Sequence, residues 1–244
     1  MPKPITTTYP VQELIAAGFA ALRFNSGEVV NAESAVTYRQ NPKHGEGSNE
    51  PPFIRYERST NAELVRTHFD RPKESKLVIT PQDREQASTA LDTLEHDRTI
   101  KALTGRKLSG FVDTIIEEAK ASEHLPSHKA GLLVWVAKLV TDINRNNLNQ
   151  EQVSKHSLTS TYLGKVGDTI ELSVEVIDSR WNRRFECWSV TAYTPEGNLV
   201  QWFTAYQDRT RSGSYKGMVK ATQVSDYLQG AKVTTLNRVK SVAK

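Results

Sequence analysis

The chain has 244 residues, enough for one large domain or two modest ones, with 37% hydrophobic residues, 25% charged residues and a formal net charge of +4. No apolar run approaches the ~18 residues that span a bilayer, and the start, Met1–Thr6, lacks the apolar core of a signal peptide, so a cytoplasmic protein without membrane contact is expected. Cys187 is the single cysteine, which excludes an internal disulfide and a cysteine-based zinc site. Charge is unevenly placed: residues 1–160 balance 20 Lys and Arg with 20 Asp and Glu, whereas residues 161–244 carry 12 against 8. That excess fits a plain solvated surface as well as it fits a nucleic-acid partner.

In chain order, Val11, Leu14, Ile15, Phe19 and Leu22 follow helical spacing. Pro10 suits the first turn of that helix and Thr8 is a candidate cap. From residue 25 to 79 the pattern is irregular, with short strands predicted at Val29–Val30 and Phe53–Tyr56. Between them, Asn41–Pro52 is dense in breakers and polar residues and reads as an exposed, mobile loop. Thr80-Pro81-Gln82-Asp83 is a helix start: a hydroxyl cap, a proline in the first turn, and an acid facing the positive end of the helix. That helix carries Ala87, Leu91 and Leu94 towards a core. A second helix holds Phe111, Ile115 and Ala119 on one face. A third starts near Ser127 and carries Leu132, Trp135, Val136, Leu139, Val140 and Ile143. Asn144–Gln150 interrupts the apolar pattern and reads as an exposed linker.

After Leu163 the period changes from helical to twofold. Ile170, Leu172, Val174 and Val176 alternate with polar neighbours, the mark of a strand with one buried face. Further strands are predicted at Phe185–Tyr193, Leu199–Tyr206, Tyr215–Val224 and Lys232–Val242, with a turn at Thr194–Asn198. Five such strands with no covering helix must close on themselves to bury one face and hide their edges. The predicted fold class is therefore α+β: a mainly helical region over residues 1–150, loop-rich at 25–79, then a five-stranded antiparallel barrel over residues 155–244.

A resemblance attaches to that barrel. Gly164-Lys165-Val166-Gly167 leads a valine-rich strand. Gly197-Asn198 precedes Trp202-Phe203, and Gly213-Ser214-Tyr215 precedes Val219-Lys220-Ala221. Tyr227–Lys232 then runs into Thr235–Lys240. This order resembles OB-fold nucleic-acid-binding domains, in particular small barrels in proteins of bacteriophages and mobile elements. The resemblance implies a ligand lying across the second and third strands, gripped by the loops joining strands 1 and 2 and strands 4 and 5. The first loop would be Asp178–Arg184, where Arg180, Arg183 and Arg184 surround Trp181: guanidinium forks for phosphates and an indole for stacking. The second would be Ser225–Gly230 with Tyr227 at its tip, next to Lys232. Trp188, Trp202 and Tyr206 lie between. Trp202 and Phe203 are adjacent and point to opposite faces, so one is core and the other exposed. Trp188 has a competing role as a barrel anchor, and the arginines as partners of Asp178 and Glu186.

No phosphate-binding loop, metalloprotease helix, paired carboxylates or nucleophile elbow is present, so no catalytic residue, metal or cofactor is expected. His124 and His128 are four apart with Pro126 between them and no matching acid. The expected function is non-catalytic binding of nucleic acid, preferentially single-stranded DNA or RNA, in replication, recombination or genome control, with the helical region a candidate for self-association. The alternative is a protein-binding or assembly module, since barrels of this type also dock proteins.

Overall fold

The structure is a computed structural model that describes residues 7–41, 51–105, 109–182 and 184–242. The chain divides into two compact units, Met1–Ile143 and Asn144–Lys244.

The first unit is built around helix α1 (Val11–Phe24), which is buried from Leu14 to Leu22. A helix apolar on every side needs neighbours on every side. Small residues let them close in: a Cβ on Gly18 would meet the Leu133 carbonyl oxygen at 3.1 Å and Val134 Cα at 3.3 Å. Thr8 does not cap this helix. It belongs to a short strand, β1 (Thr8–Pro10), paired antiparallel with β4 (His124–Pro126), and the Val11 N–H donates instead to the Glu123 carbonyl at 2.9 Å.

Val29–Val30 is not a strand. Val30 is pinned by the buried side chain of Asn61, whose Oδ1 accepts from the Val30 N–H at 2.6 Å and from Asn25 Nδ2 at 3.0 Å. The strand at Phe53–Glu57 (β3) forms, and it pairs with β2 (Val36–Gln40), which the irregular pattern hid. Asn41 closes that hairpin by donating to the Pro52 carbonyl at 2.9 Å; residues 42–50 of the expected mobile loop lie outside the described residues. Helix α2 (Asn61–Asp70) starts on a Thr60 cap.

Thr80–Asp83 starts helix α3 (Pro81–Leu103) with a full capping box: Thr80 accepts from the Asp83 N–H and Asp83 accepts from the Thr80 N–H. Burial pushes the Asp83 carboxyl up, but hydrogen bonds from Arg23 and Thr80 outweigh it and hold the group below its usual range. Helix α4 (Gly110–Lys120) buries Ile115 and Ala119, while Phe111 stays exposed and meets Trp135 edge-on at 5.6 Å. Helix α5 (Ala130–Ser157) adds Leu133, Val134, Val136, Ala137 and Val140 to this core. It does not stop at Asn144: Asn144–Gln150 is helical, so the expected linker is absent and the unit boundary falls inside α5. Asn and Gln are ordinary helix residues once a neighbouring surface holds the turns that contain them.

The second unit holds the last turns of α5 and a five-stranded mixed sheet: β5 (Thr169–Asn182), β6 (Cys187–Tyr193), β7 (Leu199–Thr204), β8 (Gly213–Ser225) and β9 (Ala231–Ser241). The pairings run β5-β6-β7-β9-β8 and return to β5, closing a barrel. The expectation of a purely antiparallel barrel is corrected, because β7 and β9 run parallel. The Leu228-to-Ala231 turn brings β9 up alongside β7 from the same end, and two strands entering from the same end lie parallel. Inside are Val174, Val190, Ala192, Val200, Trp202, Tyr215, Val219, Leu236 and Val239. A second apolar cluster lies on the outer surface, where Val153 of α5 packs with Leu199, Leu228, Ala231 and Val233. Ser160 locks the segment after α5 to the parallel pair: its hydroxyl donates to the Lys232 carbonyl at 2.6 Å and accepts from the Leu199 N–H at 2.9 Å.

A fragment beginning at Asn144 therefore folds on its own, with native circular dichroism and dispersed amide signals. One beginning at Leu158 exposes Leu199, Leu228 and Val233 and is less stable by at least about 1.5–3 kcal/mol, the worth of one buried aliphatic side chain, in urea denaturation. Equal stability of the two fragments contradicts a structural role for the end of α5.

Candidate nucleic-acid interface

Which side chains of β5 reach the outer surface is decided by a one-residue bulge. Up to Val176, even-numbered residues point into the barrel. The register then jumps, with Val176 opposite Ala192 and Asp178 opposite Thr191. Ile177 is the extra residue, and beyond it the phase is reversed. Trp181 now shares the inner face with its partner Trp188, and Asp178 and Arg180 point outward.

Arg180 and Trp181 are strand residues, because β5 runs on to Asn182 and leaves only a short turn before β6. Trp181 packs edge-on against Trp188, with ring centroids 5.5 Å apart; it is 45% exposed, whereas Trp188 leans into the barrel core. The Arg180 guanidinium is oriented from two sides: its Nε bonds the Asp178 carboxylate, and its Nη2 donates to Asn146 Oδ1 at 2.7 Å. Arg184 sits in the turn with its guanidinium 5.4 Å from the centre of the Phe185 ring. Arg183 lies outside the described residues.

Trp202 is removed from the candidate surface. It is 1% exposed, packs against Tyr215 inside the barrel and donates its indole N–H to the Arg209 carbonyl at 3.1 Å. Its neighbour Phe203 is the outward aromatic, 58% exposed. Tyr206 is exposed and lies 4.0 Å beneath the Arg209 guanidinium. Lys232 is exposed, with its ammonium over the Tyr162 ring. Tyr227 stands in the turn between β8 and β9 and is 75% exposed.

Of these residues, Arg180 and Tyr227 are brought together. They line one cleft of about 210 Å³ with Asn146, Asn149, Gln150 and Val153 of α5, Ile177, Asp178 and Thr191 of the sheet, and Leu228 and Gln229. Trp181, Arg184, Trp188, Tyr206 and Lys232 do not line it. The α5 residues were missed as a linker, yet Asn146, Asn149, Gln150 and Val153 stand at i, i+3, i+4 and i+7, the spacing of one helix face. Among the described residues no group of three or more His, Cys, Asp or Glu is arranged to hold a metal ion, and no helix is long and apolar enough to cross a membrane. Comparison with family models, curated proteins and solved structures finds no match for this chain.

The two tryptophans separate core from surface. Trp202→Ala should cost about 3–5 kcal/mol in chemical denaturation, the range for emptying a large aromatic site. Trp181→Ala, with its ring nearly half in solvent, should cost well under half as much. A Trp181 variant as unstable as the Trp202 variant contradicts this division.

Proposed function

We propose that the second unit is a non-catalytic binding module of OB type for single-stranded nucleic acid. Strand order carries this reading. With β5 to β9 numbered 1 to 5, the ring runs 1-2-3-5-4, and the outer face of strands 2 and 3 is flanked by the 1–2 turn and the 4–5 connection. Those are the surfaces OB domains use. Arg180 and Arg184 come from the first flank and Tyr227 from the second, and Phe203 rises from the third strand. Aromatics for stacking, mixed with separate cations, suit a strand whose bases are unpaired. Among the described residues no basic helix is offered to a major groove. A role in replication, recombination or genome control of a bacteriophage or mobile element belongs to the same proposal, as does self-association through the helical unit.

One observation favours a second reading, a docking site for protein. Arg180 is already bound to Asp178 and Asn146, and Arg209 donates to the Val239 carbonyl, while Phe185, Phe203 and Tyr206 stand exposed. Salt separates the two. Phosphate contacts release counterions, with a log–log slope of about −0.7 per contact on single strands. With about three contacts, affinity for a labelled oligothymidine falls roughly 10- to 20-fold between 50 and 200 mM salt. Arg184→Ala and Lys232→Ala each flatten the slope by about 0.7. Phe203→Ala weakens binding without changing the slope, because stacking displaces no ions. Failure to bind any oligonucleotide favours the protein-docking reading.

A further inference from the structure

The cleft beneath Tyr227 has walls of one chemistry and a floor of another. Val153, Ile177 and Leu228 make the floor apolar. Asn146, Asn149, Gln150 and Gln229 supply carboxamides to the walls, and Tyr227 supplies a ring at the lip. Two of the amides are committed within the fold. Asn146 Oδ1 accepts from Arg180, and Gln229 accepts from Ser154 at 2.8 Å while donating to the Gln150 carbonyl at 3.4 Å. Asn149 differs: its Nδ2 is shielded from solvent and has no hydrogen-bond partner. A shielded N–H with no acceptor is unfavourable, so the Asn149 side chain gains by turning to an acceptor on a ligand in the cleft.

We propose that this cleft receives one unpaired nucleobase, with Tyr227 stacked on its face and the Asn149 carboxamide, unpartnered at Nδ2 where it now lies, turning to donate to a ring nitrogen or carbonyl oxygen on its edge. The inference rests on the single-strand reading above and deepens it by naming the moiety bound. Three features select a base over other parts of the strand. The Asp178–Arg180 pair leaves the cleft without net charge, which suits a neutral ring and disfavours a phosphate. At about 210 Å³ it lies below the 300–1,000 Å³ of clefts for drug-sized ligands and suits a single flat ring system. Neutral amides beside an aromatic are the groups that read base edges in single strands.

The test uses the full chain and fluorescence anisotropy on two strands of equal length and charge, one of thymidines and one of abasic sites. The parent protein should prefer the base-bearing strand by about tenfold or more, the scale of one stacked base. Tyr227→Ala and Asn149→Ala should each remove most of that preference, and Asn149→Asp, which replaces the donor by an acceptor, should do the same. Tyr227→Phe should keep it. Affinity for the abasic strand and its salt slope should be unchanged in Tyr227→Ala, Tyr227→Phe and Asn149→Ala, which also shows that they fold. A preference that survives Tyr227→Ala and Asn149→Ala overturns the pocket, as does equal binding of both strands by the parent; in either case salt-dependent binding leaves the single-strand reading standing. No binding of either strand overturns both.

Discussion

A closed barrel has one inside, and every strand residue must be assigned to it or to the outer surface. Because side chains alternate, one inserted residue inverts every assignment after it. The bulge at Ile177 is that insertion in β5. Without it, Asp178 and Arg180 would continue the inward series of Leu172, Val174 and Val176 and put charge among Val190, Trp202 and Leu236. With it, the inner positions at the end of the strand fall to Ser179 and Trp181, and Arg180 is free to meet Asn146. The candidate interface thus follows from a backbone irregularity before any side chain there is considered.

The outer surface has a consequence of its own. A small barrel exposing Leu199, Leu228 and Val233 would carry an apolar patch, and the end of α5 covers it with Val153. His156 stacks on Tyr193 at 4.2 Å, and the Tyr193 hydroxyl bonds Glu175, an interaction that with burial raises its pKa. Covering the patch also builds the cleft, because the turns that carry Val153 bring Asn146, Asn149 and Gln150 to its wall. One helix face both covers the patch and lines the cleft, so variants of that face need a binding readout beside a stability readout.

Much of this was legible in the residues. Period-two alternation from Ile170 onward located the strands of the second unit, and Thr80–Asp83 announced its helix through cap chemistry that acts over four residues. Signals that depend on distant partners were not legible. Trp202 and Phe203 are equivalent until the pairing of β7 with β6 and β9 sets the phase. Val29–Val30 has the composition of a strand, but the Asn61 side chain satisfies Val30 first. Asn144–Gln150 carries no apolar period of its own, and its helical state rests on neighbours. The parallel β7–β9 pair, which distinguishes the ring from a simple meander, depends on strand order alone and leaves no mark on composition.

The central claim is that single strands lie on the part of the outer face of β6 and β7 that α5 leaves open, between the β5–β6 turn and the β8–β9 connection. Photo-crosslinking of a 4-thiothymidine oligonucleotide to the full chain, with the adducts located by mass spectrometry, tests it most directly. The account predicts adducts at Tyr227 and Phe203. Adducts confined to residues before Asn144, or lying on β8 away from that face, would contradict it.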